Sequence, residues 1–177
     1  WLLTTIPDNK RIFTIENGSR ELALVREKDG KVTNSVIHTL TRFSENEKQN
    51  IDQDMLLDMA LRFNPVIICV GEMRSSEAYT AQESARTGHT VLTTIHSNSC
   101  ESTYSRMRTL CKRKYDMDDE VLMDLVTEAF PIVVFTKQLE NKKRRLMEIM
   151  ECEITADGKR KFNPLYRYEI TENRMEG

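Results

Sequence analysis

The sequence has no apolar run approaching the roughly 20 residues of a membrane-spanning helix, so direct membrane insertion is not expected. It also has no C-x-x-C pair: Cys69, Cys100, Cys111 and Cys152 stand far apart in the chain. Free thiols of a reducing compartment are expected, with neither a disulfide framework nor a zinc site. His38, His89 and His96 lack metal-ligand spacing. No charge dominates, with 26 Lys+Arg against 28 Asp+Glu for a formal charge of -2. A nucleic-acid partner is therefore not expected without a local basic patch. There is no internal repeat and no low-complexity segment. The chain opens on Trp1 with no initiator Met, basic n-region or cleavage site, and a piece of a longer protein is the expectation. At 177 residues, 39% hydrophobic and 31% charged, one globular domain with a real core can be built.

The stretch around which the rest is organised is Asn64-Pro-Val-Ile-Ile-Cys-Val-Gly-Glu-Met-Arg74. Residues 66–70 are continuously apolar and rich in β-branched side chains, too short for an ordinary helix. Pro65 stands at the start and Gly71 follows the end. This predicts a strand buried on both faces, as in a parallel sheet covered by helices. Glu72 then lies just past the carboxyl end, the edge at which open α/β sheets bind ligands. An apolar strand ending in an acid is the pattern of nucleotide-hydrolysing enzymes, where the carboxylate serves Mg²⁺ or the attacking water.

Elsewhere the pattern alternates between helix and strand. Residues 1–6 read as the tail of a helix and 11–15 as a strand ending at Glu16, with a turn at Asn17-Gly18-Ser19. Asp29-Gly30 marks a hairpin turn, 36–40 a short strand and 44–52 a polar, exposed stretch. A helix stripe of Met55, Leu56, Met59, Ala60 and Phe63 is expected on the sheet. Residues 75–87 form a second helix with a small face of Ala78, Ala81 and Ala85, ended by Gly88. A third strand spans 90–95. Asn98, with Glu101 reaching back, caps a helix bearing Tyr104, Met107, Leu110 and Cys111. Asp118 caps the next, with Val121, Leu122, Leu125, Val126 and Ala129 as its stripe. After Pro131 the segments 132–138, 145–154 and 162–170, with turns at Asn141-Lys142 and Asp157-Gly158, predict an antiparallel meander extending the sheet at one edge.

Three motifs in order carry a resemblance over almost the whole chain. Arg11-Ile-Phe-Thr-Ile-Glu16 followed by Glu21-Leu22 resembles the Asp box of the type II/type IV secretion and pilus-assembly ATPases. Ala60-Leu-Arg-Phe-Asn-Pro65 leading into Val70-Gly-Glu-Met-Arg74 and Glu77-Ala78 resembles their Walker B region. Thr87-Gly-His89, Thr93-Thr-Ile-His96 and Asn98-Ser99, with Arg106 on the following helix, resembles their His box. Lys137-Gln138, Arg144-Arg145 and Met147-Glu-Ile-Met-Glu151 are similar to the Flp/Tad pilus branch.

The resemblance implies an α/β fold, with a RecA-like P-loop NTPase core at 1–130 and a C-terminal β-meander at 131–177. It further implies a hexameric ring of like subunits, ATP and Mg²⁺ as ligands, and inner-membrane secretion or pilus platform proteins as partners. The location would be cytoplasmic, peripheral at the membrane. Glu72 would be the Walker B acid that polarises water, with Mg²⁺ reached through water, and Glu16 the carboxylate beside it. His89, His96, Thr94 and Arg74 would serve the nucleotide. Arg42 would reach it within the chain or from a neighbour.

The sequence also departs from that pattern. Asn17 stands where the family has Asp, and His38 replaces an arginine. No G-x-x-x-x-G-K-[ST] occurs anywhere, so truncation is expected, with the fragment itself inactive. The alternatives are a noncatalytic scaffold of the same fold and a conjugation-type nucleic-acid transfer ATPase. Taken singly, the residues have simpler readings. Glu16 would be a solvated strand end, His38 a surface histidine, Thr93 and Thr94 strand formers, Arg74 a partner of Glu77 and Arg42 a partner of Glu45. The runs Lys112-Arg-Lys114 and Lys142-Lys-Arg-Arg145 lack the interleaved aromatics that base stacking needs.

Overall fold

The computed structural model describes residues 2–169. Two strands of the core, β1 (Ile12–Glu16) and β4 (Val36–Leu40), flank a small excursion in which β2 (Glu27–Lys28) and β3 (Lys31–Val32) pair antiparallel. Their turn is Asp29-Gly30, both residues at positive φ, as an Asp-Gly hairpin requires. Helix α1 (Gln53–Arg62), strand β5 (Ile67–Val70), helix α2 (Glu77–Arg86), strand β6 (Thr90–Thr93), helix α3 (Cys100–Lys112) and helix α4 (Asp119–Ala129) follow. The four strands form one parallel sheet in the order β4-β1-β5-β6. The N-terminal turn is a 3-10 helix, Leu2–Thr5; Trp1, the first residue of the expected helix tail, lies outside the described residues.

Alternation along the strands separates the two faces. Phe13, Ile15, Ile68, Val70 and Val91 join the helices in one core with Leu57, Ala60, Ala78, Ala81, Tyr104 and Leu122. Thr14 and Glu16 therefore lie on the other face. The expected strand at 66–70 begins at Ile67, and Val66 is exposed.

The helix phases differ from the sequence expectation in instructive ways. Asp52 caps α1, accepting from the Met55 amide at 2.9 Å. The buried stripe is then Gln53, Leu56, Leu57 and Ala60, a proper i, i+3, i+4, i+7 set. Met55 is 54% exposed, and Met59 and Phe63 are also exposed, contrary to expectation. Helix α2 starts at Glu77 rather than residue 75 because the Glu77 carboxylate accepts from the amides of Arg74 and Ser75, holding them in the preceding turn. The cap of α3 is Ser99, one residue after Asn98. Ser99 Oγ accepts from Ser102 N at 3.0 Å, and Ser102 Oγ from Ser99 N at 2.9 Å. The reciprocal box is built from two serines, so no Glu is needed.

The meander forms β7 (Ile132–Gln138), β8 (Arg144–Ile154) and β9 (Arg160–Arg167), antiparallel in that order. Ile170, the expected end of its last strand, lies outside the described residues. The meander does not extend the parallel sheet: it is a separate three-stranded sheet. The reason is packing. Its inner residues Val133, Cys152 and Phe162 complete the core against α3 and α4, with the Phe162 and Tyr104 rings 5.5 Å apart. Arg160 pairs with Glu120 and Asp124 on α4. Among the described residues no helix is long and apolar enough to cross a membrane.

Candidate functional site

The parallel register aligns three strand ends. Ile15 is level with Val70, and Val70 with Thr93, so Glu16, Gly71 and Thr94 leave the sheet side by side. Gly71 N donates to Ile15 O at 2.8 Å. A Cβ on Gly71 would stand 3.4 Å from that carbonyl oxygen and 3.7 Å from Glu16 Cγ. Those are ordinary van der Waals distances, so the close approach of β1 and β5 is set by the backbone hydrogen bond. Thr94 Oγ1 donates to Gly71 O at 2.6 Å, and Met73 N to Thr94 O at 2.9 Å. From the helix layer, Gln53 Nε2 donates to Glu72 O at 3.0 Å. The backbone of Glu72 is thus held from strand and helix together.

The Glu72 side chain, 20% exposed, stands between the Arg74 guanidinium and the His96 imidazole. Arg74 Nη2 bonds Oε2, and His96 Nε2 lies 3.2 Å from Oε1. The hydrogen bond from Arg74, aided by the charges of Arg74, His96 and Arg106, holds the carboxyl below its ordinary range against an opposing desolvation. Arg74 does not pair with the Glu77 carboxylate as one reading expected; Glu77 takes its backbone amide instead. His96 is 87% exposed. The Arg74 and His96 side chains are both open to solvent and so accessible to a ligand at this edge.

Glu16 is 4% exposed, not a solvated strand end. Its Oε2 accepts from the amides of Glu21 at 2.7 Å and Leu22 at 2.9 Å, so one oxygen shapes the loop that follows β1. Oε1 lies 3.5 Å from Thr14 Oγ1 and 3.8 Å from His38 Nδ1. Asn17 accepts from Thr41 Oγ1 at 3.1 Å, a joint between the ends of β1 and β4. His38 is not a surface histidine. It sits level with Thr14 on the neighbouring strand, its side chain 12% exposed, and burial and the charge of Arg20 hold it below its ordinary range.

Of the remaining candidates, only His89 lies away from this edge. His89 precedes β6, at the amino edge of the sheet, so the expected convergence of His89 with His96 does not occur within one chain. Its amide donates to Ser84 O at 3.4 Å, and its Nδ1 is buried without a partner among the described residues. Arg42 is exposed on the same edge as Glu16, two residues past β4, its backbone bonded to Ile51 in an antiparallel bridge. Its guanidinium makes no ion pair among the described residues, with Glu45 or otherwise. Thr94 spends its proton on Gly71 and so acts first as a fastener. Among the described residues no group of three or more His, Cys, Asp or Glu could hold a metal. Sequence reasoning missed Gln53, whose amide belongs to the buried stripe of α1, and the linking role of Thr14, hidden among strand formers.

The family model of the type II/IV secretion system protein matches residues 1–164. The chain is 31% identical over 123 residues to the competence protein ComGA of Halalkalibacterium halodurans, covering 63% of this chain and 35% of that protein. Its fold superposes on the VirB11 ATPase of the Brucella suis type IV secretion system with a TM-score of 0.67, at 22% identity over 85% of this chain and 44% of that one. It also superposes on the pilus retraction motor PilT solved with ADP, with a TM-score of 0.54 at 25% identity, over 78% of this chain and 37% of that one. The chain thus spans less than half the length of these proteins. With the motifs at the strand ends and a family match over nearly its whole length, the chain belongs to the type II/IV secretion system protein family.

Proposed function

We propose that this chain is part of an ATP-hydrolysing motor, a ring of six like subunits that couples hydrolysis to protein secretion or pilin assembly. The observation that carries the reading is Glu72, a carboxylate at the carboxyl edge of a parallel sheet, backed by the exposed Arg74 and His96 side chains. A carboxylate held below its ordinary range is a poor proton acceptor and a good water-orienting group. Glu72 therefore aligns the attacking water, and Arg74 and His96 turn toward phosphate charge when it arrives. Glu16 is the second acid of the edge, and Arg42 the free cation that reaches the nucleotide in the same chain or the next.

ATP with Mg²⁺ is the ligand this donor set fits. Glu72 would hold Mg²⁺ through water, and the metal would supply charge to the phosphate oxygens. The PilT relative was solved with ADP, in keeping with a nucleotide at this edge. The partners would be secretion or pilus platform proteins, of the Flp/Tad type by the tail motif, at the cytoplasmic face of a membrane. Since no G-x-x-x-x-G-K-[ST] occurs in these 177 residues, the chain by itself binds ATP weakly and turns none over.

The test is Glu72→Gln in the full-length protein. Nucleotide binding stays near normal while kcat falls by orders of magnitude, because a neutral amide aligns and polarises the attacking water poorly. Near wild-type steady-state turnover would remove Glu72 from the mechanism.

A further inference from the structure

His38, Thr14 and Cys69 lie at one level of three adjacent strands, on the sheet face away from the helical core. His38 Nδ1 is 2.9 Å from Thr14 Oγ1, and Thr14 Oγ1 is 3.5 Å from Glu16 Oε1. His38 Nε2 is buried and has no hydrogen-bond partner among the described residues. These contacts, with the single proton of a threonine hydroxyl, restrict the tautomer.

Two arrangements are open to a neutral ring. If Thr14 donates to Nδ1, the ring proton sits on Nε2, a buried donor with no acceptor, and Glu16 Oε1 faces a hydroxyl with no proton to offer. If Nδ1 carries the proton, it donates to Thr14 Oγ1, and the hydroxyl proton is free to point at the carboxylate. The second chain of donors ends on an anion, and hydrogen bonds to ionised acceptors are about twice as strong as neutral ones. It also leaves only a lone pair, not an N–H, unpaired at Nε2. An imidazolium would carry that unpaired N–H in either case.

The charged groups facing the ring are Glu16 on β1, which favours the imidazolium, and Arg20 in the following loop, which opposes it. The thiol of Cys69 on β5, level with Thr14, is pushed up to about 11 by burial and by Glu16, and is neutral. Burial of the ring outweighs Glu16.

We infer that His38 is a positioning residue for Glu16: as the neutral Nδ1–H tautomer it donates to Thr14 Oγ1, which directs its own proton to Glu16 Oε1. The carboxylate is then fixed at both oxygens, by this chain at Oε1 and by the amides of Glu21 and Leu22 at Oε2. The inference rests on the reading of Glu16 as a site carboxylate. It assigns a task to a position at which the resembling family carries arginine.

The test is a long-range proton–nitrogen spectrum of the 177-residue chain labelled with ¹⁵N-histidine, at pH 7.5, with His38 assigned by the loss of its signals in His38→Gln. The expected pattern is Nδ1–H for His38, against the Nε2–H form that free neutral imidazole side chains prefer. Thr14→Ser keeps it, and Thr14→Val converts it to Nε2–H. An Nε2–H pattern in the unsubstituted chain overturns the inference, as does Nδ1–H unchanged in Thr14→Val. The unsubstituted spectrum decides the tautomer even if Thr14→Val fails to fold. In the full-length protein, Thr14→Val lowers kcat about tenfold or more with KM little changed, and Thr14→Ser restores it. An undiminished kcat in Thr14→Val overturns the positioning role. If the tautomer is as expected and Glu16→Gln turns over normally, the hydrogen-bond chain stands and the catalytic reading of Glu16 fails instead.

Discussion

His96 Nε2 lies 3.2 Å from Glu72 Oε1, while Arg74 holds the other oxygen of the same carboxylate. Of the two neighbours, Arg74 makes the larger contribution to keeping Glu72 ionised. A carboxyl-carbon NMR titration of the chain will find Glu72 titrating below its ordinary value of 4.5. Arg74→Ala will move it upward further than His96→Ala. Equal shifts, or a larger one from His96→Ala, would contradict the order of the two contacts.

The same depression makes a statement about stability. A carboxyl whose folded-state pKa lies below its unfolded value stabilises the fold above the unfolded value, and that contribution is lost as pH falls through the folded one. The window for Glu72 therefore opens below 4.5. Urea midpoints measured from pH 6 downward will fall less steeply for Glu72→Gln than for the unsubstituted chain. Parallel curves would show that the pairing adds nothing on folding.

Capping of α3 separates two adjacent residues. Ser99→Ala removes the acceptor for the Ser102 amide and will cost about 1 kcal/mol. Asn98→Ala, at an exposed position outside the cap, will stay within about 0.5 kcal/mol. Chemical denaturation measures both, and a larger loss at Asn98 would restore it as the cap.

Arg42, exposed and without an ion pair among the described residues, should matter to hydrolysis and not to folding. Arg42→Ala in the full-length protein will depress kcat strongly, since an arginine meeting developing phosphoryl charge is worth orders of magnitude. The denaturation midpoint will hold. Mixing Arg42→Ala with Glu72→Gln subunits restores part of the activity only if Arg42 serves the neighbouring site. Activity no higher than that of the separate variants places its action within the chain.

The fold was legible where periodicity is strong. The run before Glu72 and the alternation of helix and strand led to the parallel sheet, and the turns Asp29-Gly30, Asn141-Lys142 and Asp157-Gly158 marked the hairpins of the two antiparallel sheets. What escaped were matters of phase and of tertiary partnership. The stripe of α1 turned to Gln53 and Leu57 because the cap at Asp52 and the sheet decide which flank is buried, and a sequence with Met55 and Met59 beside that stripe offers two nearly equal flanks. The meander detached from the parallel sheet because its apolar side fits α3 and α4, which strand propensity does not register. At the candidate site, the placement of Glu72 and His96 just past strand ends was readable from the apolar runs before them. His38 was not, since its burial depends on a neighbour 24 residues away.

Gly71 gives its amide to Ile15 and receives the hydroxyl of Thr94 on its carbonyl. Mechanically it is a rivet through three strand ends. The backbones that carry Glu16 and Glu72 are therefore joined through hydrogen bonds to main-chain atoms, so a displacement of the β1 end is passed to Glu72 without involving either carboxylate.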